Sequence, residues 1–246
     1  MIEEHLYEFI TGQRFNTLFK NYNGWKILGS NMTNYDFKFN KGLNINPFYF
    51  KNETVYGGLC FTSLNNLHKY QSIGIILAKV NIPNDATVYI EIDYCKTNQL
   101  DITTVYSFEE FFMIVNKNIV SNFIKENGML LEYVSNITNK LKFLALKQNG
   151  YSIQFIKNPT EKMKRMAIKQ CPYSIFHILN PTRKLIIIAL KHKGLLIEYF
   201  NSTDEILQLI AVKQFGHSIK YIKNPSEKIK NEAIKQNKYS YIFINN

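Results

Sequence analysis

Arginine is nearly missing from this chain: of its 30 basic residues only Arg14, Arg165 and Arg183 carry a guanidinium. With Arg165 and Arg183 alone in the C-terminal half, sequence-specific DNA readout through bidentate guanine contacts is disfavoured there. Cysteine is equally sparse, and Cys60, Cys95 and Cys171 lie too far apart for a CxxC metal site or a disulfide framework. No apolar run approaches the roughly 18 residues of a membrane span. The start, MIEEHLYEF, is acidic and lacks the basic n-region of a secretory signal. These absences predict a soluble intracellular protein with reduced thiols, neither secreted nor membrane-bound. There is no P-loop, no GxSxG and no HExxH. His5, His68, His177, His192 and His217 show no metal-ligand spacing, so no metal and no cofactor is expected.

What the chain does have is apolar mass and a repeat. Hydrophobic residues are 46% and aromatics 14% of its 246 residues, enough for a sizeable core. From Met129 onward the sequence repeats every 22 residues without gaps, in blocks starting at Met129, Tyr151, Tyr173, Leu195 and His217. A partial block, YSYIFINN, starts at Tyr239, reaches Asn246 and is expected to serve as a polar cap. The Asn-Pro-Thr/Ser-Glu stretches, Asn158 to Glu161 and Asn224 to Glu227, predict a helix start, with Thr160 or Ser226 as N-cap. Met163, Met166, Ala167 and Gln170 then make one helical stripe. The recurring Ala145, Ala167, Ala189, Ala211 and Ala233 would let neighbouring helices approach closely. Gly150, Gly194 and Gly216 suit left-handed helix caps. The following six residues, YSIQFI and relatives, read as a second short helix or a strand. Lack of an LxxLxLxxN pattern favours helices over a leucine-rich-repeat-like horseshoe.

The expected fold is therefore an α+β N-terminal module over residues 1–105, a helical linker or degenerate repeat over 106–128, and a mainly α solenoid of paired short helices over 129–246. In the first part, Glu3 to Lys20 reads as an amphipathic helix, and Thr62 to Tyr70 as a short one capped by Thr62 or Ser63. Trp25 to Leu28, Asp36 to Phe39, Tyr56 to Phe61, Gly74 to Ile82 and Thr87 to Ile92 read as short segments, the last two as strands either side of Pro83-Asn84-Asp85. Ser107 to Asn127 reads as helical.

Charge divides unevenly. Residues 1–128 hold 11 basic and 12 acidic residues, whereas residues 129–246 hold 19 and 7. Lys147, Lys169, Lys191, Lys213 and Lys235 occupy one position in successive blocks and predict a ladder of amines; Lys162, Lys184 and Lys228 predict a second, less complete one. Such a face suits a polyanion, nucleic acid or an acidic protein, or serves only to keep the stack soluble. The interleaved Tyr133, Phe155, Tyr199, Tyr221 and Phe243 read as core rather than as a base-stacking platform.

The runs ALKQNGYSIQFIKNPTEK (Ala145 to Lys162) and AVKQFGHSIKYIKNPSEKIKNEAIKQN (Ala211 to Asn237) closely resemble a repeat common in giant DNA viruses of the mimivirus group. Pro172 and Ser202-Thr203 depart from its pattern. YDFKFNKGLN, GGLCFT and VNIPNDATVYIE are similar to an N-terminal module of mimivirus-group ankyrin-repeat proteins. A composition rich in Asn, Lys, Ile, Tyr and Phe fits AT-rich codons. The resemblance implies a giant-virus accessory protein, located in host cytoplasm, viral factory or virion, without an assigned chemistry. Non-enzymatic scaffolding for a host or viral protein partner is the leading expectation, and sequence-independent RNA or DNA binding through the lysine ladder the second. GGLCFTS also bears a faint similarity to ADP-ribosyltransferase-like folds, which would nominate Thr62 and Glu91.

Overall fold

The computed structural model describes residues 5–20, 22–46, 50 and 57–244. Glu3, Tyr56 and Asn246, to which the sequence reading gives roles, lie outside these residues. The chain divides into two compact units, Met1–Glu126 with Tyr133–Ser135, and Asn127–Glu132 with Asn136–Asn246. Residues 106–126 thus belong with the first unit.

The first unit runs β1 (Phe9–Thr11), α1 (Gly12–Leu18), β2 (Gly24–Leu28), β3 (Thr33–Asn34), β4 (Phe37–Lys38), β5 (Gly42–Ile45), β6 (Leu59–Ser63), β7 (Ile76–Asn81), β8 (Thr87–Ile90), β9 (Cys95–Thr97), β10 (Gln99–Tyr106), α2 (Phe108–Ile114) and α3 (Lys117–Glu126). Eight strands form one antiparallel sheet in the order β1-β8-β9-β6-β2-β7-β10-β5. Its two halves meet at a narrow seam, where β2 and β6 pair only through Gly24 with Ser63 and Trp25 with Thr62. Ile10, Phe61, Val88 and Ile90 from one half share a core with Leu28, Val80, Leu100 and Ile102 from the other. The helix α2 begins with a full capping box, Ser107 and Glu110 each bonding the other's backbone N–H. It packs Phe111 edge-on against Trp25 at 5.1 Å.

The second unit runs α4 (Asn139–Gln148), α5 (Glu161–Gln170), α6 (Arg183–His192), α7 (Ile197–Phe200), α8 (Glu205–Gln214) and α9 (Glu227–Gln236). The 3-10 segment Gly128–Tyr133, whose last residue belongs to the first unit, precedes α4; Gly150–Phe155, Pro172–His177, Gly194–Leu196 and Gly216–Tyr221 lie between helices, and Lys238–Phe243 follows α9.

The expected fold is overturned in both parts. A large antiparallel sheet of eight strands stands where an α+β module was expected, and the C-terminal helices are not an α-solenoid of paired short helices. Apart from the run after Gly194, which passes into α7, the six-residue runs are 3-10 turns: too short to gain from α propagation, they tighten to i→i+3 bonds. The expected helix from Glu3 to Lys20 is interrupted by β1, because Phe9–Thr11 finds a partner in β8. The strand β6 runs on to Ser63, so the short helix expected from Thr62 begins only at Leu67, as 3-10. The strands β7 and β8 do not pair with each other; β7 lies between β2 and β10, and β8 between β1 and β9.

A repeated contact sets how the second unit packs. The backbone N–H groups of Gly128, Gly150, Gly194 and Gly216 donate to Oε1 of Gln148, Gln170, Gln214 and Gln236 at 2.5–2.7 Å. A Cβ on these glycines would stand 2.3–2.6 Å from the carbonyl oxygens of Ala145, Ala167, Ala211 and Ala233. The glycines are thus required for close approach, not for a left-handed cap. Positive φ falls instead on Asn158, Asn180, Asn201 and Asn224 (40–50°), a residue that tolerates that region. Thr160 caps α5 by accepting from Met163 N–H at 3.3 Å, whereas the Ser226 hydroxyl donates to Glu205 instead.

Gly194→Ala should destabilise the second unit by about 2 kcal/mol or more through overpacking. Gln214→Leu should cost about 1–3 kcal/mol by orphaning a buried N–H. Urea unfolding followed by circular dichroism at 222 nm reads both, and an unchanged midpoint for either would remove this contact as a determinant of stability.

Candidate functional site

Helices α4, α5, α6, α8 and α9 run parallel, each beside the next. At one edge Gln170 Nε2 donates to the Gln148 carbonyl and Gln214 Nε2 to that of His192, joining C-terminal ends. At the other edge Arg183 pairs with Asp204 at 2.6 Å and Ser226 bonds Glu205 at 2.9 Å, joining N-terminal ends. Parallel helices add their dipoles, placing about half a negative charge at each C-terminus and half a positive one at each N-terminus.

At the C-terminal edge the charged side chains oppose that field, whereas the N-terminal edge carries both signs, α4 and α6 having no acid in the first turn. Lys147, Lys169, Lys191, Lys213 and Lys235 each stand in the last turn of their helix, and all five are exposed. Lys213 lies 3.9 Å from Glu232; the other four make no ion pair among the described residues. Glu161, Glu205 and Glu227 occupy first turns, and Asp204 caps α8. The Asp204 carboxyl is held below its usual range, mainly by the hydrogen bond from Arg183. One amine per helix end exceeds the half-charge it faces, so this edge keeps a net positive potential. The second ladder of Lys162, Lys184 and Lys228 belongs to the N-terminal ends and is interrupted by Ile206.

The aromatic column is not core. Tyr199 is 61% and Tyr133 37% exposed, and Phe155, Tyr221 and Phe243 are half-buried. The inner positions of the 3-10 turns go to isoleucine and serine: Ile153, Ile175 and Ile219, with Ser152, Ser174, Ser218 and Ser240 fully buried. Ser fits because its hydroxyl faces a glycine; a Cβ on Gly128 or Gly216 would lie 2.9 or 2.6 Å from Oγ of Ser152 or Ser240.

In the first unit Thr62 Oγ1 donates to the Asp93 carbonyl at 2.5 Å. It lines a cavity of ≈30 Å³ together with Lys26, Cys60, Tyr70 and Tyr94, but not Glu91. Such a volume holds about two waters, and the two residues nominated by the transferase similarity do not share it. Sequence reading missed Lys26. It is 5% exposed, its Nζ donates to the Cys60 carbonyl at 2.8 Å and lies 4.8 Å from the Phe39 ring centroid. This bond ties β2 to β6 just past the point where their pairing ends. Nothing in the run WKIL marks a lysine at such a seam. Burial pushes its amine down to about 8, and burial pushes the Cys95 thiol up to about 12, which keeps it unreactive. All three cysteines are free. Among the described residues no cluster of three or more His, Cys, Asp or Glu is placed to hold a metal, and no helix is long and apolar enough to cross a membrane.

Between about pH 8 and the ordinary lysine range, the unfolded chain holds the Lys26 proton that the folded chain has released. Stability must rise with pH there. Measured against Lys26→Met, which cancels the titration of other groups, the wild type should gain about 1 kcal/mol per pH unit above pH 8. Fluorescence of the single tryptophan, Trp25, follows unfolding of the sheet unit. A difference that stays flat from pH 7 to 10 would exclude a depressed amine.

No protein-family model, no curated protein and no solved structure matches this chain, so the roles of these residues rest on their geometry and chemistry.

Proposed function

We propose that this protein is a non-enzymatic interaction module whose C-terminal unit holds an acidic protein partner. The observation that carries this reading is the edge of five exposed lysines, one from each of five parallel helices. At the 8–10 Å interaxial distances of packed helices it is roughly 32–40 Å long, the scale of a protein interface. Charge of this kind steers association and selects against other basic partners. On the resemblance to giant-virus repeats, such an adaptor would act in host cytoplasm, viral factory or virion.

A second reading, sequence-independent nucleic-acid binding, is favoured by one specific observation: the aromatic column is partly exposed rather than core. Bases stack on exposed rings in proteins that bind single strands.

Purified chain, titrated with labelled poly-glutamate and with single-stranded RNA and DNA across a salt series, separates the two. Under the leading reading poly-glutamate binds more tightly than nucleic acid of equal charge. Changing all five lysines to Gln should weaken that binding at least about tenfold, with the fold retained because each is exposed. Under the second reading a single strand binds more tightly, with a log–log salt slope of about −3.5 for five phosphate contacts. Binding of neither polymer at low salt overturns both.

A further inference from the structure

One junction in the second unit departs from the others. The regular junctions carry Gly, Gln and Ser at 128/148/152, 150/170/174, 194/214/218 and 216/236/240. At 172/192/196 the residues are Pro172, His192 and Leu196. The three changes are chemically linked. Proline has no N–H to donate, so the glutamine acceptor loses its purpose, and Leu196, fully buried, fills the place of the serine hydroxyl. The chain following Gly194 also departs from 3-10 geometry, closing as the short α7 with Asn201 left-handed at its end.

The surface changes at the same junction. Phe176 takes the position held by Glu132, Gln154, Glu198 and Lys220 in the other complete blocks and by Ile242 in the terminal partial one, and Leu179 that of Ser135, Lys157, Asn201 and Lys223. Phe176 is 47%, Leu179 87% and Tyr199 61% exposed. The Phe176 ring meets Tyr199 edge-on at 4.9 Å and lies 6.5 Å from Phe200. Neighbouring turns keep such positions polar, so solubility alone would favour Gln and Lys here too. Clustered exposed apolar side chains mark contact sites, and aromatic anchors within a charged rim supply most of an interface's binding energy.

We propose that Phe176, Leu179 and Tyr199 form the anchor site for an acidic protein segment that carries apolar side chains of its own. This rests on the reading of the C-terminal unit as a module for an acidic partner. Charge complementarity chooses the occupant. Lys157 precedes the patch by one block, Lys220 and Lys223 follow it, and residues 129–246 hold 19 basic against 7 acidic residues. A second copy of the same unit would bring the same excess of positive charge and be repelled. An acidic segment neutralises the lysines while its apolar side chains cover the rings.

The test selects peptides from a phage-displayed random 16-residue library on the intact chain, then repeats the selection on Phe176→Gln/Leu179→Lys. Both substitutions install the residues that the preceding block already carries, Gln154 and Lys157, so the turn is expected to fold; circular dichroism verifies it. Wild-type protein should enrich peptides that combine Asp or Glu with Leu, Phe or Trp. Synthetic versions should bind the variant at least tenfold more weakly. Three results overturn the proposal: acidic peptides without apolar enrichment, apolar enrichment retained by the variant, or a wild-type dimer in light scattering that the variant abolishes. The first leaves the acidic-partner reading standing, because the lysines alone then account for binding. Enrichment of no acidic peptides at all would overturn that reading as well.

Discussion

The second unit depends on one backbone contact, the seating of a glycine against the carbonyl of an alanine in the next helix. Once a glycine approaches that closely, its N–H is cut off from water and needs an acceptor. The glutamine at the end of the same helix supplies it. The glutamine amide is also a donor, and in two junctions its N–H reaches back to the carbonyl at the end of the preceding helix. Small size, buried donor and side-chain acceptor are three requirements of one contact. They are lost together at Pro172, His192 and Leu196, which is how a requirement on geometry should fail.

Parallel stacking follows from that contact and brings an electrostatic obligation. Antiparallel helices would cancel their dipoles; these add, and every C-terminal end adds negative potential to the same edge. Lysines in all five last turns answer it, and in α5, α8 and α9 a carboxylate in the first turn does so at the other end. The lysine edge therefore has a structural cause, and it is also a surface with charge to spare. Both follow from the same amines, since one full charge opposes only about half a charge of dipole. The sheet unit has a different economy. Its two halves are joined by two residue pairs, and a buried lysine bonded to a strand carbonyl extends the seam where pairing stops.

Much of the second unit was legible in advance. The 22-residue period, the helix starts, the Thr160 cap and the alanine column are local or periodic features, written in spacing alone. Less of the first unit was legible. The strand β10 has no counterpart in the sequence reading, which names no element over Gln99 to Tyr106; its place is decided by pairing with β5 and β7, each distant in sequence. The strand β1 was hidden in a helical pattern for the same reason. The aromatic column was misread because a 22-residue period shows that positions are equivalent, not which way they face; isoleucine and serine took the inside.

The sequence by itself determined the register: which residues recur, where each helix begins, and that the five lysines share one position. Tertiary structure alone decided that the intervening runs tighten into 3-10 turns, that the helices lie parallel, and that glutamine serves a glycine 20 residues before it. It also decided that Lys26 is buried at a seam. The physical reason is the range of the interactions. Caps and stripes are settled within a turn or two of chain, whereas the partner of a strand, the acceptor of a buried N–H and the solvation of an amine depend on segments that only folding brings together.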